Sequence, residues 1–222
     1  HIVAGLQALT PGVPVIAEES DLPSYEDRLE WNRFWLVDPL DGTKEFVKRN
    51  GEFSVNIALV ENGYPILGVV HAPVTDLTYV GVTKSRHASA SAWRYDVEGG
   101  AHPIHSRAPD SSGVRVMVSR SHSNAPTVRF IEALGKEFGP VETIPRGSAI
   151  KSCLVADGTA HYYPRLGPTM WWDTAAAQAV LIAAGGDMLA EDGSGPLRYS
   201  GENLGNPPFV AVYASGAYLP NT

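Results

Sequence analysis

The 222-residue sequence predicts a layered α+β protein, and three observations carry that prediction. Strand-like and helix-like runs are mixed along the chain and do not alternate strictly, which argues against a plain βαβ series. Two β-rich runs, Ser54 to Val60 and Ile66 to Ala72, flank Asn62-Gly63, the dipeptide of a tight hairpin turn. The most apolar stretch, Thr174 to Gly186, spans 13 residues and reads as a buried helix, short of the ~20 residues that cross a bilayer.

The remaining elements follow in order. Ile2, Leu6 and Leu9 have helical spacing until Thr10-Pro11-Gly12 stops them. Val13 to Ala17 reads as a short buried strand ending at Glu18-Glu19, and a helical turn is expected around Tyr25 to Trp31. Phe34 to Val37 is a second buried strand, delivering Asp38, and Thr43 to Arg49 reads as a helix. Leu77 to Val82 is expected as a third antiparallel strand after the hairpin. The segment GGAHPIHSRAPDSSG, residues 99–113, reads as a surface connection and a lobe boundary. It divides the chain into an N-terminal lobe, 1–113, and a C-terminal lobe, 114–222. In the second lobe, Val114 to Ser119 reads as a strand and Thr127 to Phe138 as an amphipathic helix. Ala160 to Tyr163 is expected as a strand, Asp173 as the cap of a helix over Thr174 to Ala184, and Phe209 to Tyr213 as a last strand.

Composition narrows the function classes. Seventeen Lys and Arg against 24 Asp and Glu leave a net charge of −7, which argues against a general nucleic-acid-binding face. The single cysteine, Cys153, excludes an intrachain disulfide framework and a Cys-rich metal site, fits a reducing compartment, and reads as core. The chain opens at His1 within what reads as a helix, so a preceding segment, a targeting peptide among the options, is expected.

The stretch DPLDGTKEF, residues 38–46, carries the most chemistry. Pro39 biases Asp38 towards an extended backbone, so Asp38 and Asp41 can point at one place. Gly42 permits close backbone approach, and the N–H groups that open the next helix face the same place. Hard oxygen ligands beside such N–H groups suit Mg²⁺ bridged to a phosphate. Taken alone, Asp41 reads more readily as a helix cap and Asp38 as a turn closure. Glu18 and Asp173 shift the balance, because each also ends a strand or opens a helix. Gathered carboxylates repel one another unless a cation is present.

Glu18-Glu19-Ser20, DPLDGTKEF and WDTAA at 172–176 stand in the order and approximate spacing of the lithium-sensitive, Mg²⁺-dependent phosphatases that include the inositol monophosphatases. Within that superfamily the chain resembles the bacterial CysQ-type 3′(2′),5′-bisphosphate nucleotidases. The signals are KEFVKRNGEF at 44–53, Ser119-Arg120-Ser121-His122, Gly147-Ser148 with Lys151, and Tyr163 to Pro168. The resemblance implies a layered αβαβα sugar-phosphatase fold with two or three Mg²⁺ ions between the lobes. Glu18, Asp38, Asp41 and Asp173 then correspond to metal-ligating side chains, and Leu40 contributes its carbonyl. Gly42 and Thr43 correspond to phosphate-holding residues, Thr43 also orienting the attacking water, with Glu18 as the second catalytic residue. Ser119, His122, Ser148 and Lys151 correspond to the nucleotide-side residues, and Arg120 and Arg165 are candidates for added positive charge. Family members carry roughly 45 further N-terminal residues, including an aspartate that partners the threonine, and commonly a glycine where Ala177 stands.

The implied activity is Mg²⁺-dependent removal of the 3′-phosphate of adenosine 3′,5′-bisphosphate in sulfur-assimilation nucleotide turnover. The 5′-phosphosulfate analogue is a second candidate substrate. An inositol or sugar monophosphatase is the rival enzyme, and a non-catalytic nucleotide-binding protein the rival from another class. The expected partner is a small nucleotide, not a nucleic-acid polymer, and a homodimer is left open. The resemblance implies a cytoplasmic protein; peripheral attachment to the inner membrane, found in some relatives, has no independent support in the residues.

Overall fold

The Asn62-Gly63 turn organises the larger of two sheets. Both residues have positive φ, 52° and 77°, as the tightest hairpin turn requires. In the computed structural model, which describes residues 1–84, 89–120 and 124–220, that hairpin joins β3 (Ser54–Glu61) to β4 (Tyr64–Ala72). The first sheet also contains β1 (Val15–Ala17), β2 (Arg33–Asp41), β5 (Leu77–Val82), β6 (Ser91–Tyr95) and β7 (Ala101–Pro103). Its spatial order equals its chain order; β1 runs parallel to β2 and the other pairs are antiparallel. The second sheet contains β8 (Val114–Ser119), β9 (Val141–Arg146), β10 (Tyr162–Arg165), β11 (Asp187–Ala190) and β12 (Phe209–Val212), in the order β11-β12-β10-β8-β9.

Helices fill the remaining layers. α1 (Ile2–Leu9) buries Leu6 against Ala17, Trp35 and Val37 on the outer face of the first sheet, while α2 (Tyr25–Arg28) and α3 (Thr43–Val47) are short connectors. α4 (Ala125–Phe138) covers the outer face of the second sheet, packing Phe130 and Leu134 on Val114, Val116 and Tyr162. α5 (Ile150–Ala156) and α6 (Trp171–Ala183) lie between the sheets in the main core. The layers therefore stack αβαβα, as expected. α6 is apolar nearly all round because both of its faces are covered.

Two glycines seat α6. Gly68 and Gly81 are register partners on β4 and β5. A Cβ on Gly68 would lie 2.1 Å from the Ala176 carbonyl oxygen, and one on Gly81 would lie 2.4 Å from the Val180 Cα. The helix backbone can rest on the sheet only where side chains are absent.

Several boundaries differ from the sequence reading. The 99–113 connection contains β7, because residues 101–103 pair with β6. β6, β9, α5 and β11 differ from the sequence reading, which has no element there: β9 is half exposed and short on apolar residues, and α5 is a seven-residue helix whose buried positions include Lys151 and Ser152. α6 begins at Trp171, so Asp173 is its third residue and not its cap.

Candidate active site

One edge of the first sheet and the start of α6 converge on a group of carboxylates. Ala17 pairs with Val37 in the parallel ladder, so Glu18 and Asp38 leave the same sheet edge side by side. The Glu18 N–H continues that ladder by donating to the Val37 carbonyl at 3.1 Å. On the other side of β2, Asp38 faces Asn56 and Asp41 faces Ser54 of β3, with an irregular register between the two aspartates. α6 brings Asp173 from the other half of the chain. One carboxylate oxygen from each of Asp38, Asp41 and Asp173 lies within 4.8 Å of the others.

Each of these carboxylates is held by one oxygen. Asp38 Oδ1 accepts from the Leu40 N–H at 2.9 Å, and Asp173 Oδ2 from the Met170 N–H at 2.8 Å. Asp41 Oδ2 accepts from the Ala149 N–H and, at 3.3 Å each, from Asn56 Nδ2 and Ser54 Oγ. The second oxygen of each is left for another partner. Burial, reinforced by Asp41, Glu18 and Asp173, pushes Asp38 up to about 9. Burial, with Asp41 and Glu18, pushes Asp173 up to about 7, and burial also raises Asp41 against the opposing pull of Lys151. The fold therefore concentrates negative charge that it does not itself neutralise. A hard divalent cation fits this donor set, since every free atom is an anionic oxygen.

Asp41 and Asp173 line a pocket of about 280 Å³. Lys151, Arg165, Ser119, Ser148 and Tyr163 line the same pocket, and Lys151 is near enough to Asp41 to pull against its raised pKa. Lys151 is buried, its Nζ donating to the Ser148 carbonyl at 2.6 Å and lying 5.1 Å from the centre of the Tyr163 ring. Burial lowers it to about 8, and Asp41 works against that fall, so it remains charged at neutral pH. Ser148 holds a positive φ of 50°, a conformation uncommon outside glycine and found at functional turns. The neighbouring Gly147 leaves no room for a Cβ, which would lie 2.5 Å from the Glu52 carbonyl oxygen.

The structure brings most of the expected residues together. Asp41, Gly42, Thr43, Ser119, Ser148, Lys151 and Asp173 line the pocket, while Asp38 is buried, outside that lining but within the carboxylate cluster of Asp41 and Asp173. Glu18 is exposed and outside the tight cluster of three, although its charge reaches Asp38 and Asp173. The Leu40 carbonyl accepts a long hydrogen bond, 3.5 Å, from Thr43 Oγ1. His122 lies outside the described residues. Arg165 lines the pocket, but Arg120 forks onto the Glu52 carboxylate at 2.7 and 3.0 Å. Ser54 and Asn56 were missed, yet they carry a signal. They occupy the buried face that β3 shares with Ala58 and Val60, where the alternation demands apolar side chains.

The chain belongs to the inositol monophosphatase family, whose signature matches residues 1–212. It is 48% identical over 214 residues to the 3′(2′),5′-bisphosphate nucleotidase CysQ of Escherichia coli K12, covering 96% of this chain and 81% of that one. It is 38% identical to the protein of the same name from Haemophilus influenzae, covering 93% and 74%. Among solved structures, CysQ from Bacteroides thetaiotaomicron, a bacterial member of the family, superposes with a TM-score of 0.84 at 39% identity, covering 95% of this chain and 80% of that one.

Proposed function

We infer that this protein is a Mg²⁺-dependent phosphatase that removes the 3′-phosphate of adenosine 3′,5′-bisphosphate. The observation that carries the substrate is that one pocket is lined both by the carboxylates of Asp41 and Asp173 and by the cations of Lys151 and Arg165. A molecule with two anionic groups can use both sets: one phosphate at the carboxylates through a cation, the other at the basic side chains directly. A simple inositol phosphate leaves Lys151 and Arg165 with nothing to bind. The family membership and the identity to nucleotidases over nearly the whole chain support the same choice.

Asp38, Asp41 and Asp173, with Glu18 and the Leu40 carbonyl, would hold two or three Mg²⁺ ions. Bound there, Mg²⁺ supplies Lewis acidity and neutralising charge for ester hydrolysis. The protein's own part is alignment, which is most of what phosphoryl transfer requires. Gly42, at φ 94°, turns the backbone so that the N–H groups of Gly42 and Thr43 open α3 towards the phosphate. The Thr43 hydroxyl, beside the Leu40 carbonyl, orients the attacking water. Ser119 and Ser148 donate to the nucleotide, His122 joins them on the strength of the resemblance, and Lys151 fixes the remote phosphate. Residues 1–113 act as the lobe bearing most of the carboxylates and 114–222 as the lobe bearing Asp173 and the nucleotide side; among the described residues no sheet spans both. The 5′-phosphosulfate analogue would present a similar anionic group to Lys151 and is the second substrate. A cytoplasmic location suits the lone buried thiol of Cys153.

Phosphate release from adenosine 3′,5′-bisphosphate and from inositol 1-phosphate, each with Mg²⁺, tests the reading. A strong preference for the nucleotide is expected. Preference for inositol phosphate would overturn the substrate while keeping the class. Tight nucleotide binding without release from either ester would favour a binding protein.

A further inference from the structure

We propose that Asn206 is a positioning residue for Asp173, clamping the start of α6 so that the carboxylate meets its cation in a fixed place. The inference rests on the reading of Asp173 as a Mg²⁺ ligand. α6 starts without the usual side-chain cap: Met170 occupies the capping position, and its carbonyl accepts from the Asp173 N–H at 3.1 Å but its side chain brings no oxygen. The work is divided between two other side chains. Asp173 reaches back one turn to accept from the Met170 N–H, which spends one of its oxygens and fixes the other. Asn206, from the loop before β12, holds the same residue by its other end. Its Nδ2 donates to the Met170 carbonyl at 2.6 Å, and lies 3.0 Å from Thr174 Oγ1 and 3.1 Å from Thr169 Oγ1. Its backbone N–H donates to the Thr169 carbonyl at 2.8 Å.

One amide thus grips the residues on both sides of Asp173, and Thr169 and Thr174 are themselves part of the pocket wall. The contacts are carried by the NH₂ group alone; Asn206 Oδ1 is buried and accepts no hydrogen bond. Thr174 is braced further, accepting from the Tyr199 hydroxyl at 3.1 Å and donating to the Trp171 carbonyl at 3.3 Å. A ligand supported in this way loses metal affinity when the support is removed, typically by 10- to 100-fold.

Mn²⁺, an EPR-visible stand-in for Mg²⁺, is titrated without substrate into wild-type protein, Asn206→Ala, Asn206→Leu, Asp41→Asn and Tyr79→Phe. Asn206→Leu keeps the branched shape and removes the donor without adding a charge, so it carries the test if Asn206→Ala does not fold. Tyr79→Phe loses a remote hydrogen bond to Asp157, 3.0 Å long, and controls for stability alone. The expected result is a Mn²⁺ Kd raised about 10- to 100-fold by both Asn206 changes and unchanged by Tyr79→Phe. With Mg²⁺ raised to saturation, their KM for the nucleotide should return to the wild-type value. Wild-type Mn²⁺ affinity in folded Asn206 variants would overturn the proposal, as would equal weakening by Tyr79→Phe. No Mn²⁺ binding by wild-type protein, or none lost in Asp41→Asn, would instead overturn the metal reading, and the inference with it.

Discussion

The acidic and basic walls of the pocket solve opposite problems with the same degree of burial. Asp38 has 1% of its surface exposed and Lys151 has 5%. Asp38 is surrounded by Asp41, Glu18 and Asp173, so burial and like charge act together to raise its pKa. Lys151 faces Asp41, a carbonyl and an aromatic ring, so its surroundings oppose burial and keep the cation. The acidic wall is frustrated until a cation arrives, whereas the basic wall is already satisfied and offers its remaining charge to an anion. A buried group held against its own stability marks function more sharply than one that is well paired.

Asp38→Asn should cut this comparison most deeply. Loss of one anionic ligand should lower kcat/KM about 10³-fold, equivalent to about 4 kcal/mol. The metal-free protein should meanwhile become more stable by about 1–2 kcal/mol, because the amide keeps the acceptor for the Leu40 N–H and sheds the repulsion. Steady-state kinetics and thermal unfolding in chelator check the two signs. A destabilised metal-free variant would show that the acidic wall is not frustrated.

On the basic wall, Lys151→Ala should raise KM for adenosine 3′,5′-bisphosphate about 10- to 100-fold, the value of one charge-assisted contact to phosphate. Turnover of p-nitrophenyl phosphate, which lacks a second anionic group, should change less than about threefold. Equal losses on both substrates would remove Lys151 from nucleotide recognition.

His161 sharpens the contrast with the smallest effect. It is as buried as Asp38 but sits beside the Arg115 side chain, whose Nη2 is 3.3 Å from its Nε2. Burial first, and Arg115 second, lower it from 6.5 to about 4. Between those values the unfolded chain binds the proton and the folded protein does not, so this contribution is full above pH 6.5 and is lost as pH falls towards 4. The loss should reach about 3 kcal/mol at most. Asp38 and Asp173, with raised values, contribute the opposite slope across that range, so the measurement is the difference between wild-type protein and His161→Gln across pH 4–7. Parallel curves would show that His161 is not held neutral.

Much of the fold was legible because it is written in local pattern. The hairpin, the buried strands of the first sheet and the apolar α6 follow from turn chemistry and from periodicities of 2 and 3.6. β9 and α5 escaped because their polar residues are stabilised by neighbours from distant segments: β9 by pairing with β8, and Lys151 by Ser148 and Tyr163. Likewise Asp173 has the composition of a cap, and only the pairing of residues 169–171 with 204–206 reveals that α6 starts three residues earlier than that cap implies.

By itself the sequence determined the layered class, the family and the acidic residues, since these rest on residue type and short spacing. Tertiary structure decided which carboxylates meet, which oxygen of each is held, that Arg165 enters the pocket while Arg120 turns to Glu52, and that Asn206 closes on Met170. Those outcomes depend on separations of a few ångströms between residues up to 173 − 38 = 135 positions apart in the chain, and no local pattern encodes them.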